Sequence, residues 1–132
     1  MFISLICITF LGLLSFVMGI AVTIARGKFD ILTGCPTDPE NTLNKLVRAH
    51  GNTCEYAGIL AVIIYILGQS TQSSWVLSFM IVTTFCRFLL VASFIISRSM
   101  AKPNPMRFIG AVGTYIFGLG LCFALFQQSI NL

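Results

Sequence analysis

Charge is the scarcest commodity in this sequence. Only 9% of its 132 residues are charged, four acids against eight Lys and Arg. A soluble domain carries about 25% charged residues, so most of this chain has no water-facing surface to build. Histidine is nearly absent. With His50 alone, no zinc-ligand pattern exists and no metal site is expected. The five cysteines, at 7, 35, 54, 86 and 122, form no C-x-x-C pair. Four of them lie in apolar runs, where Cys acts as a small packing residue, so no disulfide framework is implied. A basic n-region and a small-residue cleavage site are both missing at the start, so the first apolar run reads as a retained span and not a signal peptide. The net charge of +4 does not point to nucleic acid, because the basic residues flank apolar runs and form no soluble patch.

What is abundant is hydrophobicity: 57% of residues, with a mean hydropathy of +0.94. Apolar runs of 18 or more residues require a bilayer. Residues 1–132 therefore read as a single all-α membrane domain, a bundle of four transmembrane helices over about 2–25, 43–68, 75–97 and 107–128. Ser15 and Gly19 are spaced for close helix approach on the first span, and glycines at 110, 113, 118 and 120 do the same on the fourth. The polar segment 26–42 contains Gly34, Pro36 and Pro39, which break any helix, and Asn41 or Thr42, either of which can cap the second. A loop this long is as readily a plain connector as a functional element. Residues 69–74 make a tight uncharged hairpin, and Trp75 anchors the third span at an interface. The next loop, 98–106, is basic and stopped by Pro103 and Pro105. Seven of the basic residues sit at the first and third loops or the adjoining helix ends. The positive-inside rule puts those loops in the cytoplasm and both termini outside. The compact chain points to a bacterial inner membrane.

One stretch, Lys45 to Tyr56, breaks the apolar pattern. At about 100° per residue, Arg48, Asn52, Glu55 and Tyr56 fall within roughly 100° of arc, with His50 and Cys54 pointing away. Ionisable groups inside a span mark function by default; the plainer reading is polar glue between helices. Arg87 lies in the middle of the third span and needs a partner. By a rise of 1.5 Å per residue, Glu55 and Arg87 both lie roughly 15 Å below the basic surface. They are expected to meet, within one chain or across a subunit boundary, as a structural ion pair or as part of a ligand site. Tyr115 lies at a similar depth, roughly 12 Å.

The pattern R-A-x-x-N-x-x-E-Y, here Arg48, Ala49, Asn52, Glu55 and Tyr56, resembles the signature of the MAPEG family, the membrane-associated proteins in eicosanoid and glutathione metabolism. Span count and length fit as well. The resemblance implies a homotrimer with glutathione held between subunits, and a membrane-bound glutathione S-transferase that also suits peroxidase chemistry. Glutathione carries two carboxylates, an ammonium and a thiol. Arginine forks suit the carboxylates, so Arg26 and Arg48 are candidates for them. Glu55 can answer the ammonium, Asn52 the peptide groups, and Tyr56 and Arg87 complete the glutathione-binding set. The thiolate is the nucleophile, and a guanidinium favours it. The resemblance assigns that catalytic role to Arg107, with Arg98 second; snorkelling at the interface is the plainer role for Arg107. The second substrate would be a hydrophobic electrophile dissolved in the lipid bilayer. One departure stands out: family enzymes often carry Tyr or His where this chain has Leu90 and Phe94, which leaves Tyr115 as a substitute hydroxyl.

Two other readings compete. A small four-span multidrug transporter relies on a membrane-embedded Glu in its first span, but this first span has no acid. A non-catalytic lipid- or partner-binding relative is consistent with the missing third-span hydroxyls.

Overall fold

The computed structural model describes residues 1–130, so the last two residues of the expected 1–132 domain lie outside the described residues. The chain folds into α1 (Phe2–Phe29), α2 (Thr42–Leu67), α3 (Ser74–Ile96) and α4 (Pro105–Ile130), with no strand among the described residues. All four helices are long and apolar enough to cross a membrane. At 1.5 Å per residue they rise about 35–42 Å, enough for a hydrocarbon layer of about 30 Å.

The expected spans agree with these helices to within two residues except at the end of α1, which continues to Phe29. Arg26 and Lys28, read from sequence as the start of a loop, are good helix formers and sit where the negative end of the helix dipole favours cations. The helix stops at Asp30, left-handed at φ 53° and ψ 41°, whose N–H donates to the Arg26 carbonyl. Of the two candidate caps on α2, Asn41 does the work: its side chain accepts from the N–H groups of Leu43 and Asn44. Helix α4 starts two residues earlier than expected. Asn104 Oδ1 accepts from Met106 N at 2.9 Å and Arg107 N at 3.3 Å. Pro105 takes the first helical position, where its missing N–H costs nothing.

The helices alternate in direction, so the connections 30–41 and 97–104 share one end, the basic end. They are tied together: Met100 N donates to Pro39 O at 3.0 Å, and Lys45 Nζ donates to Ser97 O at 3.1 Å. At the other end the turn after α2 is joined to α4 by Gln72 Nε2 donating to Gln128 Oε1 at 3.1 Å. Helices α2 and α3 form the centre of the bundle, each touching the other three, whereas α1 and α4 do not touch. Helices α3 and α4 approach closely. A Cβ on Gly110 would lie 2.8 Å from the Leu90 backbone nitrogen, so only glycine allows the two backbones to meet there.

The apolar core comes in two parts. One, including Leu11, Ile64, Leu67, Met80 and Leu121, fills the uncharged half. The other, Leu14, Met18, Ala49 and Val91, lies toward the basic end. Asn52 and Arg87 come between them along α2 and α3. Large apolar side chains such as Phe16, Ile24 and Leu119 face outward, as lipid-facing surfaces require.

Candidate functional site

The Arg87 side chain sits at the centre of the bundle, 0% exposed. Its Nη2 donates to two oxygens of Asn52, the carbonyl at 2.8 Å and Oδ1 at 2.7 Å. Its guanidinium carbon lies 5.0 Å from the centre of the Tyr56 ring, a cation–π contact in a dry setting. Nε and Nη1 have no partner among the described residues, and neither does the buried hydroxyl of Thr83, one turn earlier on α3. The expectation that Glu55 and Arg87 meet is therefore corrected within one chain. The depth was right, since Arg87 reaches the turn of α2 that holds Glu55. The rotation was not: Glu55 points out of the bundle, and Asn52, 60° round the helix, takes the guanidinium.

The four residues of the polar row thus straddle an edge. Asn52 and Tyr56 turn inward to Arg87, both half-buried; Arg48 and Glu55 are exposed. His50 and Cys54 do point elsewhere. His50 fits against Gly19 of α1, where a Cβ would come within 3.3 Å of Nε2, and Cys54 Sγ lies 3.3 Å from the same nitrogen.

A MAPEG family model matches residues 4–127. The chain belongs to the MAPEG family. It is thus an integral, multi-pass membrane protein of the glutathione and eicosanoid metabolism family. No curated protein and no solved structure matches it.

In this MAPEG chain the remaining arginines lie at the basic end. Arg107 is half-buried at the start of α4. Its Nη1 donates to Met100 O at 3.1 Å and its Nη2 to Lys102 O at 2.6 Å, so it shapes the loop that precedes it. It also lies 5.6 Å from the centre of the Phe94 ring. Phe94, which the sequence shows where family enzymes carry a hydroxyl, is the platform under this guanidinium. Nothing in the sequence marks main-chain carbonyls as partners, so this loop contact had no signal to find. Arg26 Nη1 donates to Leu32 O at 2.7 Å, while its Nε is buried with no partner among the described residues. Arg26 and His50 line one open groove of about 620 Å³ with Gly19 and Thr23. Arg98 is exposed and apart from the row. Tyr115 joins the site instead, its ring centre 5.8 Å from that of Tyr56. Between α2 and α4 the two phenols open onto an apolar groove of about 310 Å³ lined by Leu60, Ile63 and Leu119. No group of three His, Cys, Asp or Glu side chains that could hold a metal is found among the described residues.

Proposed function

We propose that this MAPEG protein is a membrane-bound glutathione S-transferase. It joins the glutathione thiolate to lipophilic electrophiles, and with the same thiol reduces lipid hydroperoxides. It works as a homotrimer in a bacterial inner membrane, with the basic loops in the cytoplasm and both termini outside. The observation that carries this reading is the outer edge of α2. Arg48 and Glu55 stand exposed on a span, without an ion pair among the described residues. Charges facing acyl chains are costly, so a polar ligand, a second copy or both must cover them.

Glutathione suits that edge. Glu55 answers its ammonium, Arg48 one of its carboxylates and Asn52 its peptide groups; Arg26, in the groove between α1 and His50, reaches the other carboxylate only from a neighbouring copy of the homotrimer. Arg87 holds Asn52 in place from behind. Arg107 favours the thiolate, its guanidinium aimed by the loop carbonyls and by Phe94. The apolar groove beside Tyr56 offers an electrophile a way in from the bilayer. A second copy suits the edge too. Arg48, Gly51, Glu55, Gly58, Val62 and Tyr65 recur at alternating steps of three and four along α2, the seam of a helix that packs on another. A Cβ on Gly51 or Gly58 would meet nothing within 4 Å, so the chain itself leaves these notches empty.

A binding-only role is the second reading, supported by the two loop carbonyls that already engage Arg107 and by Leu90 and Phe94 in place of hydroxyls. The test is conjugation by the purified protein of glutathione to 1-chloro-2,4-dinitrobenzene. The wild type is expected to turn over, and Arg107→Ala to lower kcat about 100-fold with glutathione affinity largely kept. Glutathione binding without turnover in the wild type would establish the second reading. Proton-coupled efflux that needs Glu55 and no thiol would replace both with a transporter.

A further inference from the structure

Thiolate addition makes different demands on different electrophiles. Displacement at an aryl chloride expels chloride, which needs no proton. Opening an epoxide or adding to an enal leaves an alkoxide or enolate, which does. The arginines of the site cannot supply that proton, because a guanidinium does not give one up at ordinary pH. His50 faces α1, on the far side of α2 from Tyr56. On α3, Leu90 packs at Gly110 and Phe94 at Arg107, and neither has a proton to give, while the Cys86 thiol is buried against Gly113.

Thr114 also lines the groove, but it is buried and its hydroxyl donates to Gly110 O at 2.7 Å. That leaves the hydroxyls of Tyr56 and Tyr115. Their rings lie 5.8 Å apart at 47°. Tyr56 is half-buried with its ring on Arg87, whereas Tyr115 is 47% exposed and borders the apolar groove. Helices α2 and α4 both start at the basic end, and side chains lean toward the start of their own helix. Both phenols therefore tilt toward the end that holds Arg48 and Arg107. The third tyrosine, Tyr65, lies near the opposite end of α2.

We infer that Tyr115 is a catalytic acid selecting electrophiles that end as alkoxide or enolate, with Tyr56 and Arg87 as its support; this rests on the transferase reading. In the epoxide case the glutathione sulfur forms a bond to carbon while the carbon–oxygen bond breaks. The electron pair of that bond moves to oxygen, which takes the proton of the Tyr115 hydroxyl. The resulting phenolate lies beside the Tyr56 ring, which itself rests on the Arg87 guanidinium. It regains from water a proton equivalent to the one glutathione released on ionising, so the sum is one thiol plus one epoxide giving one hydroxy thioether.

The experiment compares wild type and Tyr115→Phe with styrene oxide and with 1-chloro-2,4-dinitrobenzene, alongside thermal unfolding in detergent. Tyr115→Phe is expected to lower kcat/KM for the epoxide about 100-fold, and to lower the ratio of epoxide to aryl chloride turnover at least about tenfold. A solvent deuterium isotope effect on epoxide opening should be present in the wild type and absent in the variant. An active wild type whose ratio is the same in Tyr115→Phe overturns this inference alone, as does an equal fall on both electrophiles with a lowered unfolding temperature. A wild type inactive on both overturns the transferase reading and this inference together.

Discussion

The two edges of the polar row on α2 interleave in sequence and are opposite in character. On the inner edge, Asn52 and Tyr56 have partners: a buried guanidinium is held by two oxygens and an aromatic ring. On the outer edge, Arg48 and Glu55 have no ion pair among the described residues and face away from the chain, beside two empty glycine notches. The inner edge is engaged by the fold, whereas the outer edge is left exposed by it. Residues of one short motif can thus divide into those that hold the scaffold and those left open to a partner.

The comparison breaks most severely at Arg87. Arg87→Ala leaves a cavity and strips Asn52 Oδ1 of its donor, and is expected to destabilise the protein by about 3 kcal/mol, read as unfolding in detergent. If unfolding stayed within experimental error of wild type, the inner edge would not be structural. Glu55→Gln sharpens the contrast from the other side. Removing one exposed charge should leave unfolding within about 0.5 kcal/mol, while KM for glutathione rises about tenfold, the loss of one charge-assisted hydrogen bond. A large fall in stability with KM unmoved would put Glu55 on the wrong edge. The least direct change is Gly58→Leu, which acts between subunits. With nothing within 4 Å of its Cβ position, helix propensity alone acts, so unfolding should shift by less than about 1 kcal/mol. Cross-linking in detergent should nonetheless show the oligomer lost. A trimer that survives this substitution would remove the α2 seam from the interface.

Much of this was legible in the sequence because lipid simplifies the pattern. Four apolar runs could only be spans, and the depth of Arg87 followed from the helical rise alone. What could not be read was rotation about the helix axis. Glu55 and Asn52 are 60° apart, too little for a hydropathy pattern to separate, and that angle decided which of them meets Arg87. Helix ends were misjudged where residues suit two roles: Arg26 and Lys28 end α1 as readily as they begin a loop, and Pro105 starts a helix as readily as it stops one. The use of Phe94 as a surface under Arg107 could not be read, since it depends on how α4 lies against α3.

The connector between α3 and α4 has a consequence beyond shape. Two of its carbonyls grip the guanidinium of Arg107, and one of its amides is gripped by the neighbouring loop. The aim of that positive charge is therefore set by the length of a surface segment. Adding or deleting a residue between Met100 and Asn104 would redirect it without altering a single residue of the four helices, so the placement of that charge can drift in such a protein while its membrane scaffold stays fixed.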